Sequence, residues 1–352
     1  MTSDVARGAI APVDAVAAAA ARARIDALTK PPGSLGRLEA LAVQLSAIAG
    51  SVVARAYTAK AVLVAVGDHG VTAEGVSAYP AEVTPQMVAT FLRGRAAINA
   101  LARVSGADVY VANFGVRSEL AAHPALLDLS IARGTQNFAR GDAMTAHDAG
   151  RALDAGSYAV DAILERGRYD MLALGEMGIG NTTSAAAIVA ACSGAPADEV
   201  TGRGTGVDDA RLAHKRAIVA RAVAPLRDAS WERIACAVGG YEIVGLAGAI
   251  LRAAARRLPV VLDGFIVAAA ALLAARIAPA ALGYCIAAHR SQEPGHRVAL
   301  AALGLEPLLD LDLRLGEGSG AALALPLVEA ATRMIAEMQT FAEAGVATGG
   351  AA

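Results

Sequence analysis

The sequence is poor in cysteine and in aromatic residues. Its 352 residues include three cysteines, and aromatic side chains make up 4% of the chain. Cys192, Cys236 and Cys285 are far apart and form no C-x-x-C pair. An odd, scattered set of cysteines argues against a disulfide framework and against a zinc site, so we expect a reducing, cytoplasmic location.

Charge of one sign and long apolar runs are also missing. The formal net charge is −2, without a basic block or an acidic tail, which indicates no nucleic-acid partner. The longest apolar run, Phe265 to Ala275, is shorter than the roughly 18 residues of a membrane span. The region around Asp4 lacks the basic-then-apolar pattern of a signal peptide. We therefore expect no membrane or polyanion partner.

Short aliphatic runs alternate with helical segments along most of the chain. Hydrophobic residues make up 55% of the sequence and charged residues 18%, which is typical of a compact fold with a large core. Continuous aliphatic runs between helices are typical of buried parallel strands. The pattern predicts an α/β fold with a ligand crevice at the carboxyl edge of the sheet. The predicted strands are Ala61–Val66, Val109–Ala112, Met171–Leu174, Pro259–Leu262 and Tyr284–Ala287.

The segment from Asp170 to Ser184 predicts a strand, a glycine-rich loop and a helix. Gly178, Gly180 and Asn181 lie where such a loop enters a helix, whose free N–H groups favour an anion such as phosphate. Glu176 would repel a phosphate, so we expect it to act on a cation, a hydroxyl or a proton. An ordinary strand-to-helix turn is the alternative.

A second glycine-rich loop, Thr201 to Asp209, predicts another anion site. Thr201, Gly202 and Gly204 supply backbone and hydroxyl donors, and Lys215 follows as a cation. The loop is not a Walker motif, and neither loop matches the G-x-G-x-x-G fingerprint. Two such loops in one chain favour a phosphorylated ligand, although simple turn chemistry explains either loop alone.

Other polar or soft side chains follow predicted strands or turns. Tyr79, Gln86 and Met87 could line a pocket for a flat ring. Asp263 follows a predicted strand, where a carboxylate often accepts ribose hydroxyls. Lys30 and Arg37 flank a Pro-Gly turn that either closes over an anion or is only a connection.

Glu317 lies between two glycines just before an apolar helix. Nothing bulky adjoins it, so it could contact a ligand, and as a general base it would need its pKa raised by apolar neighbours such as Leu315. A solvated surface residue is the alternative. We expect no metal at Asp68 and His69, which lack further ligands, nor at His289–His296, where a Pro-Gly pair disturbs helical spacing.

Taken together, these stretches resemble the nicotinate-nucleotide:dimethylbenzimidazole phosphoribosyltransferase family, whose members make α-ribazole phosphate for the lower ligand of cobalamin. The resemblance extends over residues 30 to 320. The matching blocks are KPPGSLGRLE (30–39), GDHGVTAEGVSAYP (67–80), GEMGIGNTT (175–183), TGRGTGVDD (201–209), DGFI (263–266), HRSQEPGH (289–296) and LRLGEGSG (313–320).

The resemblance implies a Rossmann-like domain over 51–310, a small helical domain from 1–50 and 311–352, and a homodimer with sites near the subunit interface. It implies nicotinate mononucleotide and dimethylbenzimidazole as substrates and no cofactor or metal. Glu317 would be the catalytic base and Glu176 would stabilise developing positive charge. The residues implied to bind substrates are Tyr79, Gln86, Met87, Met177, Gly178, Gly180, Asn181, Thr201, Gly202, Gly204, Lys215, Asp263, Ser291, Glu293, Gly295, Leu315 and Gly316.

Two rival hypotheses come from other functional classes. A nicotinamide-dependent dehydrogenase fits the strand–helix alternation but not the missing G-x-G-x-x-G fingerprint. A nucleotide-binding regulator would keep the fold without the chemistry, which the glycine-flanked Glu317 argues against.

Overall fold

The computed structural model describes residues 10–204 and 206–347. Its centre is a six-stranded sheet in the order β3-β2-β1-β4-β5-β6, with every pair parallel. The order reverses between β1 and β4, and this is where open α/β sheets bind their ligands. The strands are β1 Lys60–Gly67, β2 Ala107–Gly115, β3 Leu126–Asp128, β4 Met171–Met177, β5 Val260–Leu262 and β6 Cys285–Ala287.

Helices cover both faces of the sheet. Short 3₁₀ turns at Gly70–Glu74, Ala224–Leu226 and Pro279–Tyr284 complete the regular structure. The helices are α1 Ala15–Ala27, α2 Arg37–Ala49, α3 Val83–Leu92, α4 Ala97–Ser105, α5 Ala146–Arg166, α6 Asn181–Ser193, α7 Ala197–Val200, α8 Asp209–Val223, α9 Trp231–Val238, α10 Tyr241–Ala255, α11 Phe265–Ile277, α12 Pro294–Leu303, α13 Ser319–Glu337 and α14 Phe341–Ala344.

Strand β1 shows how one aliphatic run serves two cores. Ala61, Leu63 and Ala65 face the core that includes α5, α6, α10 and α11. Val62, Val64 and Val66 face the core that includes α2, α4 and α13. Because successive side chains of a strand point to opposite faces, a strand covered on both sides is apolar along most of its length. The exception in β1 is Lys60 at its start, which pairs with Glu329. The predicted parallel α/β fold is therefore confirmed.

Glycines allow α5 and α10 to pack with their backbones in close contact. A Cβ atom on Gly156 of α5 would lie well under 3.0 Å from the carbonyl oxygen of Gly245. A Cβ on Gly248 of α10 would lie equally close to the carbonyl oxygen of Leu153. These glycines therefore allow the close packing of α5 against α10.

We expect Gly156→Ala to destabilise the protein by about 3 kcal/mol, because the added methyl group must push α5 away from α10. Gly150→Ala is a matched control on the same helix, since nothing lies within 4 Å of its Cβ position. The control should gain up to about 1 kcal/mol from helix propensity. Urea unfolding of both variants measures the difference, and equal stabilities would contradict the close packing.

The two ends of the described chain lie side by side. Leu28 and Thr340 form an isolated antiparallel bridge, and the N–H of Thr29 donates to the carbonyl of Gln339 at 3.0 Å. Helix α13 packs against α2 as well as against β4 and β5. The division into a 51–310 domain and a small helical domain from the chain ends stays a prediction, and residues 1–9 and 348–352 lie outside the described part.

Two features of the strands differ from the predictions. Strand β3 is absent from the predicted strands. Glu176 lies in β4 rather than in a loop, because β4 continues its pairing with β1 through Glu176 and Met177. No helix in the described ranges is long and apolar enough to span a membrane.

Candidate active site

Four buried carboxyl groups lie at the carboxyl edge of the sheet. Glu176 is the second-last residue of β4, and Glu242 is in the first turn of α10. Asp263 follows β5, and Glu317 precedes α13. None of the four is more than 5% exposed. Since buried carboxylates are costly unless they are compensated, their concentration at the switch point marks this edge as the functional site.

A left-handed turn holds Glu317. Gly316, Glu317 and Gly318 have φ angles of 89°, 64° and 88°, a region that a residue other than glycine adopts only when its surroundings enforce it. The N–H of Glu317 donates to the carbonyl of Glu176 at 3.1 Å. The backbone of the turn lies directly against Gly175, where a Cβ would collide with Gly318.

The carboxylate of Glu317 accepts a hydrogen bond from the N–H of Ile98 at 3.3 Å, near the start of α4. Burial raises the pKa of Glu317 above its ordinary value, and the nearby charge of Asp263 adds to this rise. The expected cause was Leu315, but that side chain is 57% exposed. We attribute the burial of Glu317 to β4 and α4, which contact it directly.

Glu176 is held in its acid form over a wide pH range. Burial raises its pKa to about 8, the charges of Asp263, Glu242 and Glu317 add to the rise, and the hydrogen bond from the Asn181 side chain opposes it. Behind it, His69 Nε2 and Glu242 Oε1 are 2.6 Å apart and both side chains are fully buried.

We expect the Glu176→Gln variant to become more stable than the wild type as the pH rises. The ordinary pKa is 4.5 and the folded value is about 8, so between these pH values the unfolded chain releases a proton that the folded protein keeps. The free energy of unfolding of the wild type therefore falls across this window, and at about 1.4 kcal/mol per unit the cost reaches a few kcal/mol.

Urea unfolding at pH 5 and pH 8 tests this expectation. Glu176→Gln should be more stable than the wild type by about 3 kcal/mol at pH 8 and by little at pH 5. Glu119→Gln, whose wild-type side chain is 90% exposed, is the control and should follow the wild type at both values. A gain that is equal at both pH values would contradict the assignment.

Asp263 is engaged by the backbone of α13. Its Oδ2 accepts from the N–H of Gly318 at 3.1 Å, and its Oδ1 accepts from the N–H of Ala321 at 2.9 Å. Burial raises the pKa of Asp263, while His289, whose Nε2 lies 3.6 Å from Oδ1, lowers it together with these backbone donors. The predicted contact with ribose stays a prediction.

The second glycine-rich loop is built around Lys215. The Lys215 ammonium group donates to Thr182 Oγ1 at 2.8 Å and to the carbonyl of Gly202 at 3.2 Å, so it joins α8 to both predicted anion loops. Burial lowers the pKa of Lys215 to about 8, while Glu293 opposes this change. Thr205 of this loop lies outside the described residues.

The segment from Ser291 to Gly295 packs beneath this loop. Glu293 Oε1 accepts from the N–H of Gly204 at 2.9 Å, and Gly202 leaves no room for a Cβ beside the same carboxylate. The N–H of Glu293 donates to Ser291 Oγ at 3.3 Å. Gly295 packs equally tightly against Val200 and Phe265. The structure thus brings Thr201–Gly204, Lys215 and Ser291–Gly295 together.

His296 is part of this scaffold, because its Nδ1 accepts from the N–H of Ser291 at 2.9 Å. Burial and the nearby His289 lower the pKa of His296 to about 3. Within residues 10–204 and 206–347, no group of three or more His, Cys, Asp or Glu side chains is arranged to hold a metal ion.

The residues predicted to surround a flat ring lie in the loop before α3, on α3 and at the end of β4. Met87 on α3 and Met177 at the end of β4 are partly buried against the same core, and the N–H of Ile179 donates to Thr84 Oγ1 at 3.1 Å. Tyr79 is 55% exposed, and Gln86 is also exposed. Met87 and Met177 therefore pack against one core, whereas Tyr79 and Gln86 lie at the surface. That these residues surround a flat ring stays a prediction.

Two residues predicted to bind an anion form ion pairs within the protein, and one buried pair beside the site was not predicted. Lys30 pairs with Glu39 at 2.8 Å, and Arg37 pairs with Glu306. The buried pair of His69 and Glu242 was not predicted. Its sequence signal was weak, because His69 only follows a predicted strand and Glu242 lies 173 positions further along the chain.

Comparisons with known proteins assign the chain to a family. A family model described as phosphoribosyltransferase matches residues 10–346. The fold and the site therefore define a phosphoribosyltransferase.

Individual relatives narrow the class. The chain is 54% identical over 339 residues to the nicotinate-nucleotide–dimethylbenzimidazole phosphoribosyltransferase of Chloroflexus aggregans, covering 96% of both chains, and 52% identical over 344 residues to that of Geobacter sulfurreducens, covering 97% of both. The crystal structure of the Thermus thermophilus enzyme of this name matches with a TM-score of 0.91 at 51% identity, covering 96% of this chain and 100% of that one. The chain belongs to the nicotinate-nucleotide–dimethylbenzimidazole phosphoribosyltransferase family.

Proposed function

We propose that this protein transfers the phosphoribosyl group of nicotinate mononucleotide to 5,6-dimethylbenzimidazole or a related base. The products are α-ribazole 5′-phosphate and nicotinate, in the assembly of the nucleotide loop of cobalamin. Family membership over nearly the whole chain supports the reaction. The observation that carries it is the buried Glu317 carboxyl group, fixed by its turn at the carboxyl edge of the sheet.

The reaction needs a base and a good leaving group. The free ring nitrogen of the benzimidazole forms a bond to C1′ of the ribose, and the bond between C1′ and the pyridinium nitrogen breaks. The bonding electrons neutralise the pyridinium charge, so nicotinate leaves as a stable ring. The other benzimidazole nitrogen becomes acidic during the attack, and Glu317 accepts its proton. Attack opposite the leaving group converts a β-nucleotide into an α-riboside.

The remaining site residues divide by chemistry. Glu176 stabilises the positive charge that develops on the ribose, through the dipole of its carbonyl oxygen while it is protonated and through a full charge above a pH of about 8. The backbone N–H groups of the two glycine-rich loops and the charged form of Lys215, which prevails below pH 8, hold the phosphate. Positioning two substrates against each other supplies much of the rate. The proposed phosphate and ribose contacts are Gly178, Gly180, Asn181, Thr201, Gly202, Gly204, Lys215, Ser291, Glu293 and Gly295.

The proposed base site combines Met87 and Met177 with the exposed loop residues Tyr79, Gln86, Leu315 and Gly316. A homodimer would cover apolar side chains beside this site, because Tyr79, Leu311 and Leu315 are each more than half exposed.

The three cysteines are free thiols in the structure, which supports a cytoplasmic location.

A turnover assay tests the proposal. Purified protein is incubated with nicotinate mononucleotide and dimethylbenzimidazole without added metal, and the products are separated by chromatography and identified by mass and by the NMR signature of the α-riboside. We expect ribazole phosphate and nicotinate in equal amounts. A β-riboside would contradict direct displacement.

Parallel measurements separate the rivals. A dehydrogenase would bind NADH with a change in its fluorescence, whereas we expect no specific change. A regulator would bind nicotinate mononucleotide without consuming it. If the protein binds nicotinate mononucleotide but forms no product with any azole base supplied, the regulator hypothesis would replace the transferase hypothesis.

A further inference from the structure

We infer that Asp263, supported by His289, is a positioning residue for Glu317 rather than a ribose ligand. The inference rests on the proposed function, in which Glu317 is the base. It starts from the geometry of the Asp263 carboxylate, whose two oxygens accept from the N–H groups of Gly318 and Ala321. One of these donors is the residue next to Glu317, and the other lies in the first turn of α13.

The turn that carries Glu317 needs such an anchor. Three consecutive residues have positive φ angles, and Glu317 is the one that is not glycine. Holding a side-chain-bearing residue in this region is energetically unfavourable. The Asp263 carboxylate opposes this cost, because a negative charge at the N-terminus of α13 interacts favourably with N–H groups that have no partner within the helix.

Contacts on the other sides of the turn do not replace Asp263. Before the turn, the chain is attached to the segment after β6, where the N–H of Gln292 donates to the carbonyl of Leu313 at 3.0 Å. Glu317 itself is attached to β4 through the carbonyl of Glu176. Among the described contacts, Asp263 is the side chain that fixes the backbone directly after Glu317.

The His289 ring packs beside the Asp263 carboxylate, with Nε2 3.6 Å from Oδ1. The ring is 2% exposed and lies against Gly320, where a Cβ would collide with the ring. It also lies against Gly264, the residue after Asp263, at 3.4 Å from the Cβ position. The ring therefore fills the space between the end of β5 and the first turn of α13.

Kinetics distinguish positioning from ribose binding. We expect Asp263→Asn to lower kcat about 10-fold to 100-fold with the KM for nicotinate mononucleotide changed less than about 3-fold, because a base displaced by about 1 Å loses rate rather than substrate affinity. Asp263→Ala should lower kcat further. An increase in KM with kcat retained would show that Asp263 binds ribose and would overturn the inference.

A double-mutant cycle gives a second readout. If Asp263 acts through Glu317, adding Asp263→Asn to Glu317→Gln should lower the residual rate less than about 3-fold. Full multiplication of the two losses would overturn the inference. Asp170→Asn is the matched control, since Asp170 is also buried and accepts from the N–H groups of Thr58 and Ala59 at the opposite edge of the sheet. It should lower stability and leave kcat unchanged.

Amide hydrogen exchange tests the anchoring without any activity. Asp263→Asn should increase exchange at Gly318 and Ala321, whereas Asp170→Asn should increase it at Thr58 and Ala59. Unchanged exchange at Gly318 and Ala321 would overturn the inference. If the wild type forms no product with any base, the proposed function fails, and the exchange measurement still decides whether Asp263 anchors the turn.

Discussion

Replacing Glu317 with glutamine is expected to lower kcat about 10²-fold to 10⁴-fold, the range in which a positioned general base contributes to a proton transfer. Glutamine retains the size of the side chain and an oxygen that can accept from the N–H of Ile98. It cannot take the proton that leaves the benzimidazole. The KM for nicotinate mononucleotide should therefore change little, and the pH dependence of kcat that arises from this base should disappear.

Steady-state kinetics between pH 5.5 and 9 measure the effect. The matched control is Glu337→Gln, the same chemical change at the far end of α13, where the side chain pairs with Arg333 at the surface. The control should retain wild-type kcat. A Glu317→Gln variant within about 3-fold of the wild type would assign the proton transfer to solvent or to another group.

Replacing Gly175 with alanine is expected to lower kcat at least about 10²-fold while the protein remains folded. A Cβ atom at this position would lie well under 3.0 Å from the backbone of Glu317 and Gly318. Backbone atoms on both sides cannot rotate away, so the Glu317 turn must move off β4. A displacement of about 1 Å at a catalytic group is enough for such a loss, and overpacking adds a stability cost of about 1–3 kcal/mol.

Gly141→Ala is the control for this variant, because nothing lies within 4 Å of its Cβ position. Circular dichroism and urea unfolding establish that the Gly175 variant is folded before its kinetics are measured. Wild-type kcat in Gly175→Ala would show that the turn tolerates displacement, and the close contact between β4 and Glu317 would then have no role in the rate.

The central strands were predictable because each carries its own signal. β1 is buried along its whole length, and apart from Lys60 at its start every residue in it is apolar or small. β3 gave no such signal, since its three residues pair with β2 on one side only and include an exposed aspartate. The end of β4 was missed for another reason, because glycine, glutamate and methionine continue the strand only through their pairing with β1.

The candidate site was predictable where a short sequence motif carries the signal. Glycines around Glu317 and around Gly178 indicated close approach of backbone, and the structure places both segments at the switch point of the sheet. The pairing of His69 with Glu242 and the engagement of Asp263 by α13 join residues far apart in the sequence. No local pattern specifies such partners. The sequence therefore indicated which residues belong to the site, but it did not indicate which residues contact each other.

The hydrogen bond between Ile98 and Glu317 joins residues 219 positions apart, and this separation has a consequence for biosynthesis. A chain emerging from the ribosome can pair β1 with β2 early, but the Glu317 turn reaches β4 and α4 only after most of the polypeptide has been made. Contacts of such high sequence separation form late and slowly. Nascent chains that stop before this turn would therefore carry the sheet and its buried acids without the proposed base.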